Sequence, residues 1–495
     1  MERFLKVILW GQEIGRLAWD PRRNLSYFTY NPDYLRNGLD VFPLVASIKK
    51  VRVGMPIWGE NKKIYQQLPS FLADALPDAW GNQLFDLWRR QNHIPEQEIS
   101  PIEKLSFIGK RSMGALEFEP ETSTLSKNEK IDLKSLANLA ERIFTDRDNT
   151  RILPKESITL QSLLTVGTSA GGRQPKAIIA MNKEKSEIRS GQIAGYDGFE
   201  YYLLKFGNSE FCSAELEMTY YDLAIQAGIR MMESELYEIE DNRHFLTKRF
   251  DRKGNSKLHT QTLAAMDPDA DSYEQLLTVC RRLHLPECDC EEVYRRMVFN
   301  ILANNTDDHN KNFSFIMDEK GEWRLSPAYD ITFIFNNKGY QPEKDHCLFI
   351  RARLSGFSKD DVIQFAKDNG IRRPESIIRD VVTALLNFKQ TALKYKVSNE
   401  LIGRVESCIS SHLENWGEIR KTEFSKFMYK DKEVTNVWLE QALKGNLHLY
   451  AIIDGHEKKY IIRKGTDLYQ EIISEGISSI SMEKKKDLVC QFLII

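Results

Sequence analysis

Nine polar residues in succession, Asn304-Asn305-Thr306-Asp307-Asp308-His309-Asn310-Lys311-Asn312, constrain this chain more than any other feature. Val298-Phe299-Asn300-Ile301-Leu302 runs apolar into them, and Phe313-Ser314-Phe315-Ile316-Met317 runs apolar out. A cluster like this is turn-rich, because Asn and Asp side chains bond their own backbone. The run that follows alternates as a strand does. Glu319-Lys320-Gly321-Glu322 reads as a tight turn, and Trp323-Arg324-Leu325 as the returning strand. The predicted hairpin carries Asn312 at its entry and Asp330, in Ser326-Pro327-Ala328-Tyr329-Asp330, just past its exit. The two are thereby expected to meet in space.

An Asp, an Asn five positions on, and a second Asp after a short apolar stretch match the acidic groups of a phosphoryl-transfer site. In protein kinases the first Asp accepts the hydroxyl proton, while the Asn and the second Asp hold Mg²⁺ against the nucleotide phosphates. The usual spellings, His-Arg-Asp and Asp-Phe-Gly, are absent. Upstream, Thr165-Val166-Gly167-Thr168-Ser169-Ala170-Gly171-Gly172-Arg173-Gln174-Pro175-Lys176 reads as a small-residue loop ending in Lys and entering the strand-like run 177–181. Glycines let backbone N–H groups approach phosphate oxygens. It is not a Walker A sequence, which needs Gly-Lys-Ser/Thr ahead of a helix. Tyr201-Tyr202-Leu203-Leu204-Lys205-Phe206 places Lys205 at the end of an apolar strand. Residues 214–224 read as an amphipathic helix whose Glu217 is expected to pair with it. Alone, each of these has a plainer reading, as a surface loop, a snorkelling Lys or a solvated Glu, and for Glu217 the plainer reading is the stronger; their order along the chain is that of kinase parts.

These residues resemble the HipA family of serine/threonine kinases, toxins of bacterial toxin–antitoxin pairs. The family pattern Thr-Asp-x-His-x-Lys-Asn-Phe-Ser is matched by Thr306–Ser314, and Pro-x-Tyr-Asp by Pro327–Asp330. Ser-x-x-Gly-x-Gln-x-Lys is matched from Ser169 to Lys176, and Arg-Phe-Asp-Arg by Arg249–Arg252. Leu68-Pro69-Ser70-Phe71, Leu76-Pro77-Asp78 and 108–116 fit the N-terminal pattern, so the resemblance covers about residues 3–415. It implies an α+β, two-lobed protein-kinase-like fold with an N-terminal α/β subdomain and a mainly helical C-terminal lobe. It also implies ATP and Mg²⁺ as cofactors, Asp307 as catalytic base, and Asn312 and Asp330 as metal ligands. Lys205 would contact the α- and β-phosphates. Gly171, Gly172, Arg173, Gln174, Pro175 and Lys176 would line the phosphates, and Lys248, Arg249 and Phe250 the adenine hinge. His309 and Tyr329 would lie beside the nucleotide, and Ser169 is the expected autophosphorylation site. Asp308, where some members have Gly, is expected to add a like charge beside the site. The implied partners are a helix-turn-helix antitoxin (HipB-like), operator DNA only through that antitoxin, and a protein substrate, an aminoacyl-tRNA synthetase in characterised members.

At 495 residues two or more domains are expected. Four regions are read: residues 1–125, an N-terminal subdomain; 126–250, the small lobe with the Gly-rich loop; 251–418, a helical large lobe; and 419–495, an extension. Helices are predicted over 80–90, 290–303, 359–369, 376–394, 434–443 and near 468–475, with a strand pair over 447–453 and 459–463. Hydrophobics at 42% and charged residues at 28% suit a soluble globular protein, and no apolar run approaches the ~18 residues that span a membrane. The N-terminus lacks a signal-peptide layout, and seven cysteines at irregular spacing argue for a reducing cytoplasm. Cys288-Asp289-Cys290 has no second Cys or His pair at zinc spacing. Net charge −2 makes no case for direct nucleic-acid binding, and Lys484-Lys485-Lys486 reads as solvated helix surface. Two rival readings remain at this point. One is a kinase-fold phosphotransferase acting on a small molecule; the other is a non-catalytic corepressor that binds the antitoxin. Intact Asp307, Asn312, Asp330 and Lys205 count against the second.

Overall fold

The computed structural model describes residues 4–94, 100–122, 131–145, 156–167, 174–192, 195–208, 212–335, 341–418, 427–429, 432–441, 446–454, 456–475 and 480–493. The fold is α+β and two-lobed, with an added module at each end.

The N-terminal module is a five-stranded antiparallel sheet in the order Ile57–Trp58, Leu25–Tyr30, Gln12–Asp20, Phe4–Leu9, Leu116–Glu119. Leu25–Tyr30 buries every second residue, the period-2 pattern of a sheet with one covered face. That face packs Phe28 edge to face against Phe42 and Phe71, beyond what area alone contributes.

The small lobe is a second five-stranded antiparallel sheet: Ile188–Ser190, Lys176–Asn182, Phe199–Lys205, Asn242–Lys248, Ser234–Ile239. The strand Lys176–Asn182 is buried at six of its seven positions, which explains its unbroken Ala-Ile-Ile-Ala-Met run. Helices Ala79–Gln91, Leu133–Thr145 and Ser157–Gly167 cover it, and Trp80 donates its indole N–H to the Lys176 carbonyl at 3.1 Å. Thr165 to Gly167 therefore close a helix rather than open the Gly-rich loop. Van der Waals contact decides this: Gly167 lies against Leu84 and Trp80, where a Cβ would come within 2.6 Å of Leu84.

The large lobe is helical, around Glu287–Ala303. The predicted catalytic hairpin forms as Ser314–Met317 paired with Trp323–Leu325, with His259–Thr262 as the third strand. Its turn is built by Asp318, whose carboxylate accepts from the Lys320 and Glu322 N–H groups, and by Gly321 at φ +85°. The helix expected over 376–394 is two helices, Pro374–Leu385 and Phe388–Lys394. Asn387 interrupts them and turns its amide to Gln226 on a neighbouring helix.

The N-terminal module is clamped onto the first part of the large lobe. Asp74 accepts from the backbone N–H and hydroxyl of Thr262 at 2.7 and 2.8 Å, and Ser70 and Tyr65 bond carbonyls of the next helix. The Gly114 N–H donates to Asp251 at 2.7 Å. Gly114 has φ +76° with the Thr260 backbone against it, a position that suits only glycine.

Beyond residue 426 lies a separate four-stranded antiparallel sheet with its own core, ordered Phe427–Tyr429, Lys432–Gln441, Leu447–Ile453, His456–Ile462, and packed on helices Asp467–Glu475 and Met482–Phe492. The helix expected over 434–443 is thus a strand. Val434 and Val437, three apart, mimic helical spacing. In the sheet the register slips by one residue between Val434 and Asn436, and this bulge returns both valines to the buried face.

Candidate active site

The helix Glu287–Ala303 ends at Asn304, which adopts the left-handed conformation (φ +57°) that suits Asn at a helix C-terminus. From there the loop holds itself by its own amides. Asn305 donates to the Asn300 side chain at 2.9 Å, Asn304 to the Ile334 carbonyl at 3.2 Å, and Asn312 to the Asp307 carbonyl at 2.7 Å. The asparagines are turn formers, as their chemistry suggests, and what they build is a frame around Asp307. The Asp307 side chain is 55% exposed, with the His309 Nε2 and the Cys347 Sγ each 3.9 Å from its carboxylate.

Asp308 lines the same small cavity as Asn312 and Asp330, but its carboxylate is not left open there. It is 1% exposed and turns into the large lobe. There it accepts from the Tyr273 hydroxyl at 2.7 Å, the His346 Nδ1 at 2.9 Å and the Cys347 N–H at 2.8 Å. Three donors around one carboxylate offset its burial. The adjacent loop, residues 345–348, is fastened to the polar loop 304–312 by this means.

Lys205 ends its strand 7% exposed, and its ammonium bridges the carboxylates of Glu217 and Asp330. Glu217 comes from the helix Ser213–Gln226 and Asp330 from the segment after the hairpin, so one cation joins three elements. Burial works against the charge on Lys205; Asp330 and Glu217 overcome it and hold its pKa above the usual lysine range. Burial also opposes ionisation of Asp330, but Lys205 and Lys176 prevail and depress it to about 2. Asp330 sits at φ +53°, an uncommon conformation for a residue other than glycine.

Asn312 and Asp330 line one small cavity, as the hairpin argument requires. With its Nδ2 bonded to Asp307, Asn312 keeps its Oδ1 for an incoming cation. An amide oxygen beside a carboxylate is a hard-oxygen donor set that fits Mg²⁺. Among the described residues no group of three His, Cys, Asp or Glu is gathered as a metal-binding cluster.

The other expected residues fall around this centre. Lys176 is 2% exposed and pairs in register with Lys205; burial lowers its pKa. Gln174 donates to the Phe206 carbonyl at 3.1 Å, and the Pro175 carbonyl accepts from the Phe206 N–H at 2.9 Å. Tyr329 stacks on Phe250 with ring centroids 5.4 Å apart, and its hydroxyl bonds the Lys311 carbonyl at 2.7 Å. Lys248 pairs with Glu200 and Glu233. The Arg249 guanidinium is committed to Asp251 and the Gly191 carbonyl, which leaves its backbone rather than its side chain for a ligand. Ser169, Gly171, Gly172 and Arg173 lie outside the described residues.

The sequence argument assigned no role to Asp78, at the head of the helix Ala79–Gln91. It is held largely from solvent, and burial raises its pKa to about 6 against the pull of Lys176 and Lys311. Its only outward signal is an acidic residue ahead of a helix, a common capping pattern.

Residues 5–119 match the HipA N-terminal domain and residues 168–388 the HipA-like C-terminal domain. A Sinorhizobium fredii protein named "Putative kinase Y4mE" is 28% identical over 117 residues, covering 24% of this chain and 26% of that protein. A Haemophilus influenzae protein named "Putative kinase" is 25% identical over 237 residues, covering 42% of this chain and 66% of that protein. The chain thus spans 26% and 66% of the lengths of these two curated relatives. Among solved structures, it superposes on a chain of the Shewanella oneidensis MR-1 toxin–antitoxin complex of HipA, HipB and operator DNA. The TM-score is 0.59 at 15% identity, over 84% of this chain and 98% of that one, a likeness of fold.

Proposed function

This chain belongs to the HipA family, and on that footing we propose that it is an ATP- and Mg²⁺-dependent serine/threonine protein kinase, the toxin of a toxin–antitoxin pair. The observation that carries the reading is the Glu217–Lys205–Asp330 bridge beside the Asp307 loop. In a kinase the strand Lys, its helix Glu and the metal-holding Asp must be in place together.

In this reading Asp307 orients the substrate hydroxyl and takes its proton. Its exposure suits a group that must meet a protein side chain. Mg²⁺ held by Asn312 and Asp330 supplies charge neutralisation at the phosphates. Lys205 and Lys176 present two cations to the phosphate chain, and Gly171 to Pro175 bring backbone N–H groups to it. The backbone of Lys248 to Phe250 lines the adenine, with His309 and Tyr329 beside the nucleotide. Ser169 is the site of autophosphorylation. The substrate is a translation-related protein of the aminoacyl-tRNA synthetase kind, and the partner is a HipB-like helix-turn-helix antitoxin through which the chain reaches DNA. The place of action is the cytoplasm; no described helix is long and apolar enough to cross a membrane.

The test is transfer of labelled γ-phosphate from ATP to the chain itself and to lysate proteins, with Asp307→Asn as the control. Removing a general base lowers the rate by roughly 10²-fold or more while nucleotide binding persists. Labelling of a small molecule alone would favour a different phosphotransferase, and equal transfer by Asp307→Asn would overturn the assignment of the base.

A further inference from the structure

The helix Glu287–Ala303 carries a guanidinium for which the chemistry above has no role. Arg296 is 2% exposed. Its Nε donates to Glu292 at 2.9 Å, and its Nη2 to the Ser326 carbonyl at 2.8 Å. Its Nη1 is buried without a hydrogen-bond partner, an expensive condition for a charged donor in a native core. A cavity of about 10 Å³, the space of a single water, adjoins it. Arg296, Asn300, Asn305, Asp308, Asn312 and Asp330 supply its polar lining.

The bonding around the cavity narrows what can answer Nη1. Asp308 has both oxygens engaged, by Tyr273 and His346 on one and Cys347 on the other. Asn300 donates to Tyr273 and accepts from Asn305. Asn312 has its Nδ2 bonded to the Asp307 carbonyl and its Oδ1 open, and Asp330 has Oδ1 on Lys205 and Oδ2 open. Among the side-chain oxygens that line the cavity, Asn312 Oδ1 and Asp330 Oδ2 are those with no hydrogen bond, and they belong to the two residues assigned to the metal.

We propose that Arg296 is a positioning residue for Asn312 and Asp330. It acts through one buried water that accepts from Nη1 and donates to the open oxygens of that pair. Arg296 then holds the segment Ser326–Asp330 at both ends, directly at the Ser326 carbonyl and through the water at Asp330. This matters because Asp330 is held in a left-handed backbone conformation and needs outside support to keep its orientation. Groups behind metal ligands commonly change metal affinity by roughly 10- to 100-fold when removed. The inference rests on the metal assignment above, so its test has an arm that does not depend on it.

That arm is a crystal structure of the full chain without nucleotide, at a resolution that orders solvent. Density for one water within hydrogen-bond distance of Nη1 and of an Asn312 or Asp330 oxygen is expected. A dry cavity, or Nη1 bonded directly to protein, overturns the proposal whether or not the chain is a kinase. The second arm is calorimetry of ATP binding with and without Mg²⁺. Arg296→Lys keeps the charge and loses Nη1. Ala328→Val fills the cavity and leaves Arg296 in place. Each is expected to weaken the Mg²⁺-dependent part of ATP affinity by about 10-fold while metal-free affinity and melting temperature stay near wild type. A parallel loss of metal-free affinity and melting temperature in both variants would mark a purely structural arginine and overturn the proposal, as would unchanged Mg²⁺ dependence. If wild-type protein binds no Mg·ATP at all, the kinase reading fails and the crystallographic arm alone decides.

Discussion

Lys176 and Lys205 stand opposite each other across two adjacent antiparallel strands, so two buried ammonium groups share one cross-strand position. Like charges directly opposite destabilise a sheet. Here Glu217 and Asp330 compensate by bridging to Lys205. A sheet built for stability alone would not place two lysines there, whereas a site for a polyanion would.

Removing one partner of that bridge separates folding from function. Lys205→Met leaves Glu217 buried without its cation, a loss on the scale of 3–5 kcal/mol for a broken buried pair. Lys205→Met with Glu217→Leu should recover much of that stability and none of the phosphoryl transfer. Chemical denaturation and the transfer assay together check this. Full stability of the single variant would mean that the pair is not coupled.

Asp330→Ala should abolish the Mg²⁺-dependent part of ATP binding, because the proposed metal ligand is lost as well as a charge partner of Lys205. Calorimetry showing unchanged Mg·ATP affinity would put the metal elsewhere. The same carboxylate has a pH signature. Its folded pKa is depressed from 3.8 to about 2, so its contribution to stability is complete above pH 4 or so and is lost as pH falls toward 2. Asp330→Asn should flatten that part of the acid limb.

Two buried histidines set an earlier acid limb. Burial depresses His244 and His259 from 6.5 to about 4 each. His244 accepts the Gly207 N–H through Nδ1, which requires the neutral ring. His259 Nε2 faces the Val41 carbonyl, an acceptor, and so carries its proton there. A depressed histidine pKa means that the unfolded chain takes up protons first. The contribution of each ring is therefore full above about 6.5 and is lost as pH drops toward 4, by up to about 3 kcal/mol, against the opposite trend of Asp78, whose raised pKa favours the folded state on acidification. Melting temperature followed from pH 7 to 4 checks the sign. A His259→Asn variant that keeps the whole slope would assign it to other groups.

Incubation with Mg·ATP should add one phosphate to the peptide carrying Ser169, and activity should then fall. A phosphoserine brings roughly two negative charges to a loop that, in the proposed function, sits beside ATP phosphates of the same sign. Ser169→Asp should imitate part of the loss, and Ser169→Ala should still bind ATP. Phosphate mapped only to Thr165 or Thr168, or full activity of the phosphorylated form, would remove the regulatory role and leave the kinase reading standing.

The fold was legible wherever a local pattern had one physical meaning. The hairpin after Asn312 showed itself in alternation plus a turn at Gly321, whereas the pairing of Lys205 with Glu217 was legible only from the order of kinase-like parts along the chain, each residue alone having a plainer reading. The strand Lys432–Gln441 was misread because a bulge disguises period 2 as helical spacing, and a bulge exists only once a partner strand imposes a register. The division of 376–394 at Asn387 likewise depends on Gln226, a contact made across 161 residues of chain.

By itself the sequence determined which chemistry this protein could carry: Asp307, Asn312 and Asp330 in order, with two lysines and a glutamate upstream. Those are properties of residue type and spacing. Only the tertiary structure decided which charges face the cleft. Asp307 and Asp308 are adjacent and identical in type, yet the first is exposed and the second accepts three donors in the large lobe. Asp78 and Arg296 look like ordinary helix residues until the fold brings Lys176 to one and Asp330 to the other. The reason is energetic: a buried charge is tolerated only where distant parts of the chain supply its partners, and which parts those are is settled by packing.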